Sequence, residues 1–464
     1  MDSFTVSAND FVTEKDCKIS DHYEIQQVLG EGSYGSVRKI KHKITGEYRA
    51  VKILHKNKLN NNSTMDAILN EVNLLRKLDH PNILKVFETY QDKFCYCIVT
   101  ELCTGGELFE KIGKNRNNDL QTPEYIKQIL SCLVYLHDKH IVHRDLKPEN
   151  FLLQRSQPGS PLKLIDFGSA CSIDPGQWLD RRVGTSYYIA PEILINHQYN
   201  EKCDIWSSGI ILHILLTGSA PFEGNSDAEI LQKIQKTKID KNSIIYKGLD
   251  PNAKDLMFKL LNPDVQQRLT ARQALAHQWL RGLHSQQLDR QSSLNLVENI
   301  QSFHPQKKIE KLTLSFITSH LLTSSELDQM TQLFKSMDLD NNGTLSRSEF
   351  KEGISRFVHL NDLEIDELMH DIDTDNSGEI DYSEFLTACC SREGMKSREI
   401  LSIAFKEYDS DGSGIVDREK LKRVVGKHKS MNDGVWDQII NEIDEAGRGS
   451  FDFEQFYQAL TKDK

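Results

Sequence analysis

The spacing of apolar positions changes along the chain and separates strand-like segments from helical ones. Residues 37–40 and 48–54 have the pattern of strands and flank a Thr45-Gly46 turn signal, so they predict an antiparallel hairpin. In the last third, apolar residues recur three or four positions apart, which is typical of amphipathic helices. The first such run comprises Leu327, Met330, Leu333, Phe334 and Met337, and the next comprises Phe350, Ile354 and Phe357.

Four similar segments rich in Asp and Gly lie between these helical patterns. They begin at Asp338, Asp373, Asp409 and Asp444, at spacings of 35, 36 and 35 residues. A helix–loop–helix unit repeated four times is the organisation of paired EF-hands.

The first two loops carry the oxygen ligands that calcium requires. Such a loop presents oxygens from positions 1, 3, 5 and 7 and a bidentate carboxylate at position 12. The first loop supplies Asp338, Asp340, Asn342, Thr344 (through its carbonyl) and Glu349. The second supplies Asp373, Asp375, Ser377, Glu379 (through its carbonyl) and Glu384. Two loops that satisfy these positions in register predict two Ca²⁺ sites, against the alternative of two acidic surface loops.

The third and fourth loops depart from this pattern. The third has Asp409, Asp411, Ser413 and Asp417, but Lys420 replaces the bidentate carboxylate at position 12. It predicts at best a weak site. The fourth has Arg448 at position 5 and Gln455 at position 12, which predicts a structural partner that binds no metal.

The charge distribution agrees with a cation-binding region at the end of the chain. The net charge is -11, and residues 321–464 hold 31 acidic against 17 basic residues. An acidic chain of this kind is not expected to bind nucleic acid. Nine cysteines without regular spacing suggest reduced thiols in the cytoplasm. The sequence shows no membrane span or secretory signal, and Asp2 rules out the N-myristoylation motif.

A glycine-rich segment precedes the predicted hairpin. Three glycines in the pattern G-x-G-x-x-G are weak evidence alone, since dinucleotide folds also use them. A dinucleotide fold would continue into a helix, whereas this segment continues into strands, so its amides are expected to cover phosphates. Its residues are Leu29, Gly30, Glu31, Gly32, Ser33, Tyr34, Gly35, Ser36 and Val37.

A charged residue follows on an apolar strand. Lys52 stands 17 residues past Gly35, and a lysine facing inward needs a partner. Glu71, in a helical stretch, is the candidate, although taken singly it could be an ordinary exposed carboxylate.

The ordered motifs that come next resemble those of the eukaryotic protein kinases over about residues 23–280. They are His143-Arg144-Asp145 with Asn150, Asp166-Phe167-Gly168, Ala190-Pro191-Glu192 and the segment from Asp204 to Gly209. The resemblance implies a bilobal fold, with an antiparallel sheet in the N-lobe and a helical C-lobe, that transfers the γ-phosphate of ATP.

The resemblance also implies roles for individual residues. Lys52, held by Glu71, would contact the phosphates, and Asn150 and Asp166 would hold Mg²⁺. Asp145 would orient the substrate hydroxyl, while Lys147 and Thr185 indicate serine/threonine specificity. Ala50, Glu101 and Cys103 would line the adenine site, and Glu107 and Glu149 would attract an Arg upstream of the Ser or Thr of protein substrates.

The order of parts resembles the calcium-dependent protein kinases of plants and protists. It predicts a multidomain α+β chain: an extension (1–22), the kinase domain (23–280), a junction (281–323) and an all-α domain (324–464). The last holds EF-hands at about 325–360, 360–395, 396–431 and 432–464. A pseudokinase scaffold and a constitutively active kinase fused to a calcium module are the alternatives.

The junction carries the features of a regulatory helix. Lys307, Lys308 and Lys311 lie among apolar residues, as in helices that calmodulin-like lobes bind, although an ordinary surface helix has the same pattern. We expect it to block the cleft until calcium-loaded EF-hands capture it. Arg290, three residues before Ser293, makes Ser293 a candidate for autophosphorylation. Arg144 implies a basic pocket, for which Asp174 or Asp180 could supply the anion.

Overall fold

The computed structural model describes eleven stretches of the chain. These are residues 8–32, 35–58, 62–112, 121–157, 159–281, 290–305, 307–322, 324–390, 395–425, 433–444 and 447–461. Among them, no helix is both long enough and apolar enough to cross a bilayer.

A six-stranded sheet forms the first lobe, in the order β1-β5-β6-β4-β3-β2. Its strands are β1 (Thr13–Lys15), β2 (Tyr23–Gly32), β3 (Gly35–His42), β4 (Tyr48–His55), β5 (Val86–Gln91) and β6 (Cys95–Thr100). Every neighbouring pair is antiparallel except β1 and β5. The predicted hairpin is β3–β4, and Gly46 adopts a φ of 74° in its turn, where glycine avoids steric strain. Helix α1 (Asn62–Leu75) packs against this lobe.

The second lobe is mainly helical. Its helices are α2 (Leu108–Ile112), α3 (Thr122–Asp138), α4 (Pro191–Ile195), α5 (Lys202–Thr217), α6 (Asp227–Lys236), α7 (Pro251–Leu260), α8 (Ala271–Leu275) and α9 (Gln278–Arg281). Short strands β7 (Ile141–Val142), β8 (Phe151–Leu153), β9 (Leu162–Leu164) and β10 (Cys171–Ser172) form two ribbons. Helix α5 is apolar around most of its circumference and lies at the centre of the lobe, as such a helix must.

Twelve of the remaining elements build the calcium-loop region. Helices α12 (Ser324–Met337), α13 (Arg347–Ser355), α14 (Asp362–Ile372) and α15 (Tyr382–Cys389) flank the first two loops. Helices α16 (Arg398–Tyr408), α17 (Arg418–Val424), α18 (Asp433–Asn441) and α19 (Phe453–Thr461) flank the others. The loops pair through the strands β11 (Thr344–Leu345) with β12 (Ile380–Asp381) and β13 (Ile415–Asp417) with β14 (Ser450–Asp452).

The junction forms two helices, α10 (Arg290–Gln301) and α11 (Lys308–His320). The apolar side chains of α11, including Leu312 and Phe316, are buried in the same core as the calcium-loop helices. Short 3-10 helices cover Ala8–Phe11, Ile19–Asp21, Lys56–Lys58, Pro148–Asn150 and Ile244–Tyr246.

The N-terminal segment joins both halves of the molecule, which the sequence pattern did not indicate. Strand β1 extends the sheet of the first lobe, and Val12 packs into the core shared by the first and second lobes, which together carry the kinase-like motifs and are called the catalytic half below. Phe11 points into the other core, with its ring 5.8 Å from that of Phe316. Residues 8–15 are therefore integrated into the fold.

Candidate functional site

The glycine-rich segment lies at the hairpin between β2 and β3. Leu29 to Gly32 end β2, and Gly35 to Val37 begin β3, while Ser33 and Tyr34 lie outside the described residues. A Cβ on Gly35 would lie 1.7 Å from the carbonyl oxygen of Ile53, so only glycine fits there. Gly30 and Gly32 have open space beside them, which leaves room for a phosphate near the backbone.

Lys52 and Glu71 form the ion pair that the kinase motifs imply. Strand β4 carries Lys52 and helix α1 carries Glu71, and the ammonium lies 3.3 and 3.2 Å from the two carboxylate oxygens. Glu71 is buried. It is therefore not the ordinary exposed carboxylate that remained the alternative.

The segment that directly follows β6 is the one that the family resemblance assigns to adenine. Thr100 ends β6 opposite Ala50 of β4. The Glu101 carboxylate accepts hydrogen bonds from the Lys85 amide and the Lys163 ammonium, both at 2.9 Å, and these fix the segment. Burial, with a contribution from Glu101, raises the pKa of Cys103 to about 12, so this thiol stays protonated near neutral pH.

The catalytic-loop side chains converge on Asp145. Lys147 donates to Oδ2 of Asp145 at 2.9 Å, and the Thr185 hydroxyl donates to Oδ1 at 2.7 Å. Lys147 also lies 3.2 Å from the Thr185 hydroxyl. Burial opposes ionisation of Asp145, but these hydrogen bonds outweigh it and lower its pKa. The carboxylate is thus oriented and deprotonated, as a base for a hydroxyl proton must be.

Asn150 and Asp166 can supply oxygen ligands to a divalent cation. Asn150 is buried, and its side-chain N–H donates a hydrogen bond to the Asp145 carbonyl at 2.8 Å, which leaves its side-chain oxygen free to act as a ligand. Asp166 adopts a φ of 64°, a left-handed conformation that is uncommon outside glycine and asparagine and frequent at functional sites. Oxygen donors of this type suit Mg²⁺.

Asp204 is a positioning residue to which the sequence motif assigned no role. It is fully buried, and its carboxylate accepts hydrogen bonds from the amides of His143 and Arg144 at 2.9 and 2.8 Å. Although burial opposes ionisation, hydrogen bonds from His137 and His143 lower the pKa of Asp204. The sequence held one sign of this role, namely an acidic residue at the start of the apolar helix α5.

Arg144 does not meet the anion that the sequence suggested. Its guanidinium donates to the Ser169 carbonyl at 2.6 Å and lies 3.5 Å from the Tyr199 hydroxyl. Within the described stretches, no hydrogen bond or ion pair joins Arg144 to Asp174 or Asp180. The expectation that one of these carboxylates fills the basic pocket is wrong, because the guanidinium donates its hydrogen bonds to neutral oxygen atoms.

Glu107 and Glu149 lie near one another beside the catalytic loop. Burial, followed by the neighbouring carboxylates of Glu110 and Glu149, raises the pKa of Glu107. One oxygen of Glu149, Oε2, is buried and has no hydrogen-bond partner in the described part of the molecule. Clustered carboxylates with an unfilled acceptor suit a guanidinium.

The first calcium loop gathers three carboxylates. One oxygen from each of Asp338, Asp340 and Glu349 lies within 4.8 Å of the others. Burial raises the pKa of Asp338 to about 8; backbone hydrogen bonds oppose the rise, and the charges of Asp340 and Glu349 reinforce it. Asn342 and Thr344, the other candidate ligands of this loop, lie between Asp340 and Glu349.

The second calcium loop repeats this arrangement. Asp373, Asp375 and Glu384 bring carboxylate oxygens within 4.8 Å of one another. Burial raises the pKa of Glu384 to about 8, and the charges of Asp375 and Asp381 contribute to the rise. Ser377 and Glu379 complete the loop. A divalent cation would relieve the crowding of negative charge in both loops.

The other two loops lack such a cluster in the described residues. Position 6 of the fourth loop has the expected turn, since the Asp444 carboxylate accepts from the Gly449 amide at 2.6 Å. Arg448 donates to Gln455 at 3.1 Å, so these two non-ligands bond to each other. In the third loop Lys420 turns toward Asp409, Asp411 and Ser413.

Ser293 is not an accessible acceptor in this arrangement. It lies within α10 and is only 2% exposed. A kinase must surround the hydroxyl that it modifies, so this burial does not support the candidate site while α10 is docked.

Comparisons with known proteins match both the kinase-like part of the chain and the part that holds the calcium loops. Residues 23–280 match the family model described as the protein kinase domain, and residues 327–390 and 399–461 match the EF-hand domain pair. The chain is 35% identical to calcium-dependent protein kinase 4 of Plasmodium falciparum, across 97% of this chain and 88% of that protein. It is 37% identical to calcium-dependent protein kinase 5 of the same organism, across 96% and 78%. It is 35% identical to calcium-dependent protein kinase 13 of Oryza sativa subsp. japonica, across 96% and 80%.

Proposed function

Because this chain belongs to the calcium-dependent protein kinases, we propose that its junction occupies the catalytic cleft at low calcium and leaves it when calcium binds. The protein is a serine/threonine protein kinase that uses ATP and a divalent metal and is activated by calcium. The proposal concerns how that activation works. The single observation that carries it is the burial of helix α11 among the calcium-loop helices.

Several contacts of α11 support a withdrawn state. Lys307 donates to the Ala459 carbonyl at 2.7 Å, and Lys311 lies 3.4 Å from the Asp371 carbonyl. These carbonyls belong to α19 and α14, so both pairs of EF-hands contact the junction. Cations at the C-terminal ends of helices are favourable partners of the helix dipole. In the described part of the chain, no hydrogen bond joins α11 to the catalytic loop.

The calcium-loop region also contacts the catalytic half directly. Asp79 accepts from the Ser383 amide at 2.8 Å, and Ser131 donates to the Asn341 carbonyl at 3.1 Å. Arg155 forms an ion pair with Asp328. These contacts lie beside helix α3 and the segment after β6, and they would hold the junction away from the cleft.

We propose for the site the catalytic roles that the family resemblance implies, and the geometry supports them. Lys52, paired with Glu71, would neutralise phosphate charge, and Asp145 would accept the hydroxyl proton while Lys147 stabilises the transferred group. Thr185 would fix the orientation of Asp145. Mg²⁺ is the divalent ion that we propose for the oxygens of Asn150 and Asp166, where it would offset the charge of the phosphates. The intact set argues against a pseudokinase scaffold.

We further propose a preference for substrates with Arg upstream of the phosphorylated residue. The unfilled acceptor of Glu149 and the raised pKa of Glu107 support a site that gains free energy from a guanidinium.

The nine free cysteines support a cytoplasmic location. We also propose that the kinase domain begins at residue 23, the junction at residue 281 and the EF-hand domain at residue 324.

Two calcium sites are energetically sufficient for such a switch. Moving a population from 1:99 to 99:1 requires about 5.5 kcal/mol of differential binding, or roughly 2.7 kcal/mol from each of two sites. That value lies near the upper end of usual coupling energies, so we expect measurable basal activity.

Two measurements made together test the proposal: the rate of phosphate transfer and the rate of amide hydrogen exchange. In EGTA the full-length enzyme should transfer phosphate at least about tenfold more slowly than in calcium, a difference of about 1.4 kcal/mol. Amides of residues 104–110 and 145–152, which line the cleft, should exchange more slowly in EGTA. Asp145→Asn serves as the inactive control with normal calcium binding. Equal exchange in both conditions, with low activity in EGTA, would show that something other than cleft occlusion causes the inhibition.

A further inference from the structure

The ammonium of Lys420 lies inside the third loop, surrounded by oxygen atoms. It donates to Asp409 Oδ1 at 2.8 Å, to Ser413 Oγ at 2.7 Å and to the Ile415 carbonyl at 2.6 Å, and it forms a still shorter contact with Asp411. Lys420 is 8% exposed. The side chain therefore points into the protein and not along its surface.

These four oxygens are the ones that an EF-hand offers to calcium. They belong to positions 1, 3, 5 and 7 of the loop, and Lys420 itself stands at position 12. In the first two loops a glutamate fills position 12 and completes the set of anionic ligands. In the third loop the residue at that position supplies the cation itself.

The charges account for the stability of a buried lysine at this position. An unpaired buried ammonium would be costly, and so would two neighbouring carboxylates without a cation. Asp409 and Asp411 meet one positive charge within hydrogen-bond distance, so each group compensates the other. A calcium ion would have to displace the ammonium from its oxygens and would still lack a bidentate ligand.

The third loop has the same shape as the two loops that can take calcium. In all three, the carboxylate at position 1 accepts a hydrogen bond from the glycine amide at position 6, at 3.1, 2.9 and 2.7 Å in loops one to three. Its strand β13 pairs with β14 over three residues. The Lys420 ammonium thus lies among the ligand oxygens of a loop that has the same turn as the two loops that can take calcium.

We propose that Lys420 is a built-in cation that keeps the third EF-hand in its ion-loaded form at every calcium concentration. The third loop is then a site filled by the chain itself, with no vacancy for calcium. This goes beyond the calcium switch assigned to the first two loops, because it makes the second pair of EF-hands independent of calcium.

The helix that enters this loop shows which partners the second pair holds. Helix α16 ends at Tyr408, whose ring lies 5.6 Å from that of Phe316 in the junction. The preceding Glu407 faces the sheet of the catalytic half, 3.8 Å from Lys15 and 3.5 Å from His42. A permanently loaded third loop therefore keeps α16 ready to bind the chain's own junction and N-lobe, and calcium acts through the first pair.

Three variants of the full-length protein test the proposal. Lys420→Glu replaces the internal cation with the missing ligand, so bound calcium after equilibrium dialysis should rise from two ions to three per chain. Lys420→Met removes the cation without adding a ligand, so the count should stay at two while the melting temperature in EGTA falls by roughly 10 °C, because Asp409 and Asp411 lose their partner. Lys422→Met is the matched control, since Lys422 pairs with acidic residues at the surface.

Two results would overturn the proposal. One is a third calcium ion on the unmodified protein that disappears in Asp409→Asn. The other is a melting temperature of Lys420→Met in EGTA equal to that of Lys422→Met. If Lys420→Glu unfolds in EGTA and refolds with three ions in calcium, the proposal is supported. None of these measurements needs kinase activity, so their failure is distinct from a failure of the proposed autoinhibition.

Discussion

The Thr185 hydroxyl donates a 2.7 Å hydrogen bond to Asp145, the proposed catalytic base, although the two residues lie 40 positions apart in the chain. The bond fixes one carboxylate oxygen, while Lys147 holds the other. The segment that carries Thr185 is thereby tied to the catalytic loop, so we expect its position to influence the orientation of Asp145.

Removing this hydroxyl should change how activity depends on pH. The Thr185 and Lys147 hydrogen bonds lower the pKa of Asp145, so the active carboxylate persists to acidic pH and is lost as the pH falls through that lowered pKa. Thr185→Ala should raise the pKa and move the acidic limb of the kcat/KM profile to higher pH, with kcat reduced roughly tenfold or more. Thr185→Ser should restore the profile. An unchanged acidic limb in Thr185→Ala would contradict the proposed role.

Calcium stoichiometry should be two, with both ions in the first pair of loops. Glu349→Gln and Glu384→Gln should each remove one ion, because each replaces a bidentate carboxylate with an amide. Calorimetry of the full-length protein gives the count directly. Gln455→Ala, at position 12 of the fourth loop, is the control that should leave two ions bound. Four tight sites in the unmodified protein would contradict this assignment.

Docking of the first loop on the catalytic half can be tested with two matched glycines. Gly343 and Gly378 stand at position 6 of the first and second loops, with φ of 86° and 87°. A Cβ on Gly343 would lie 2.5 Å from His80, whereas one on Gly378 would meet nothing within 4 Å. Both alanine variants should weaken calcium binding through backbone strain of about 1–2 kcal/mol. Only Gly343→Ala should also disturb docking.

The readout is kinase activity at saturating calcium, where the difference in affinity no longer matters. Gly378→Ala should then reach nearly the activity of the unmodified enzyme, and Gly343→Ala should remain well below it. Faster hydrogen exchange in α3 should accompany the loss. Equal plateaus for the two variants would show that the contact between the loop and His80 does not contribute to activation.

Substrate preference should depend on the carboxylates near the catalytic loop. Glu149→Gln and Glu107→Gln should each lower kcat/KM for a peptide with Arg upstream by roughly tenfold or more, since a charge-assisted hydrogen bond contributes about 1.5–3 kcal/mol. A peptide with Gln in place of that Arg should be affected little. Glu110→Gln, a change in the same acidic cluster, is the control.

The same preference should vary with pH. The raised pKa of Glu107 means that its carboxylate charges at higher pH than an ordinary glutamate and becomes neutral as the pH falls through that raised value. Discrimination between the Arg and Gln peptides should therefore weaken on acidification, and Glu107→Gln should flatten this dependence. A preference that is insensitive to Glu107 at every pH would exclude it from the Arg site.

The sequence by itself determined the kinase and EF-hand architecture and most of the candidate residues at each site. The glycine-rich hairpin, the catalytic loop and the first two calcium loops are short segments in which covalent spacing fixes which groups can meet one ligand. The positions of Glu349 and Glu384 follow from the loop spacing, and those of Asp145 and Asn150 follow from the ordered motifs that resemble the protein kinases. The spacing of apolar residues then assigned these segments to helices or strands, because the residues on a buried face repeat with a different period in each.

The tertiary structure decided the contacts that join distant segments and the directions in which long side chains turn. The pairing of Glu71, the buried anchor Asp204 and the double insertion of Phe11 and Val12 depend on burial that no local pattern records. Arg144 met neutral acceptors where the sequence suggested a carboxylate, since the folded chain supplied a carbonyl and a hydroxyl nearer to it. Lys420 is the clearest case. The sequence showed only a lost calcium ligand, whereas the folded loop places the Lys420 ammonium among the oxygens that would bind the ion, where it balances their negative charge.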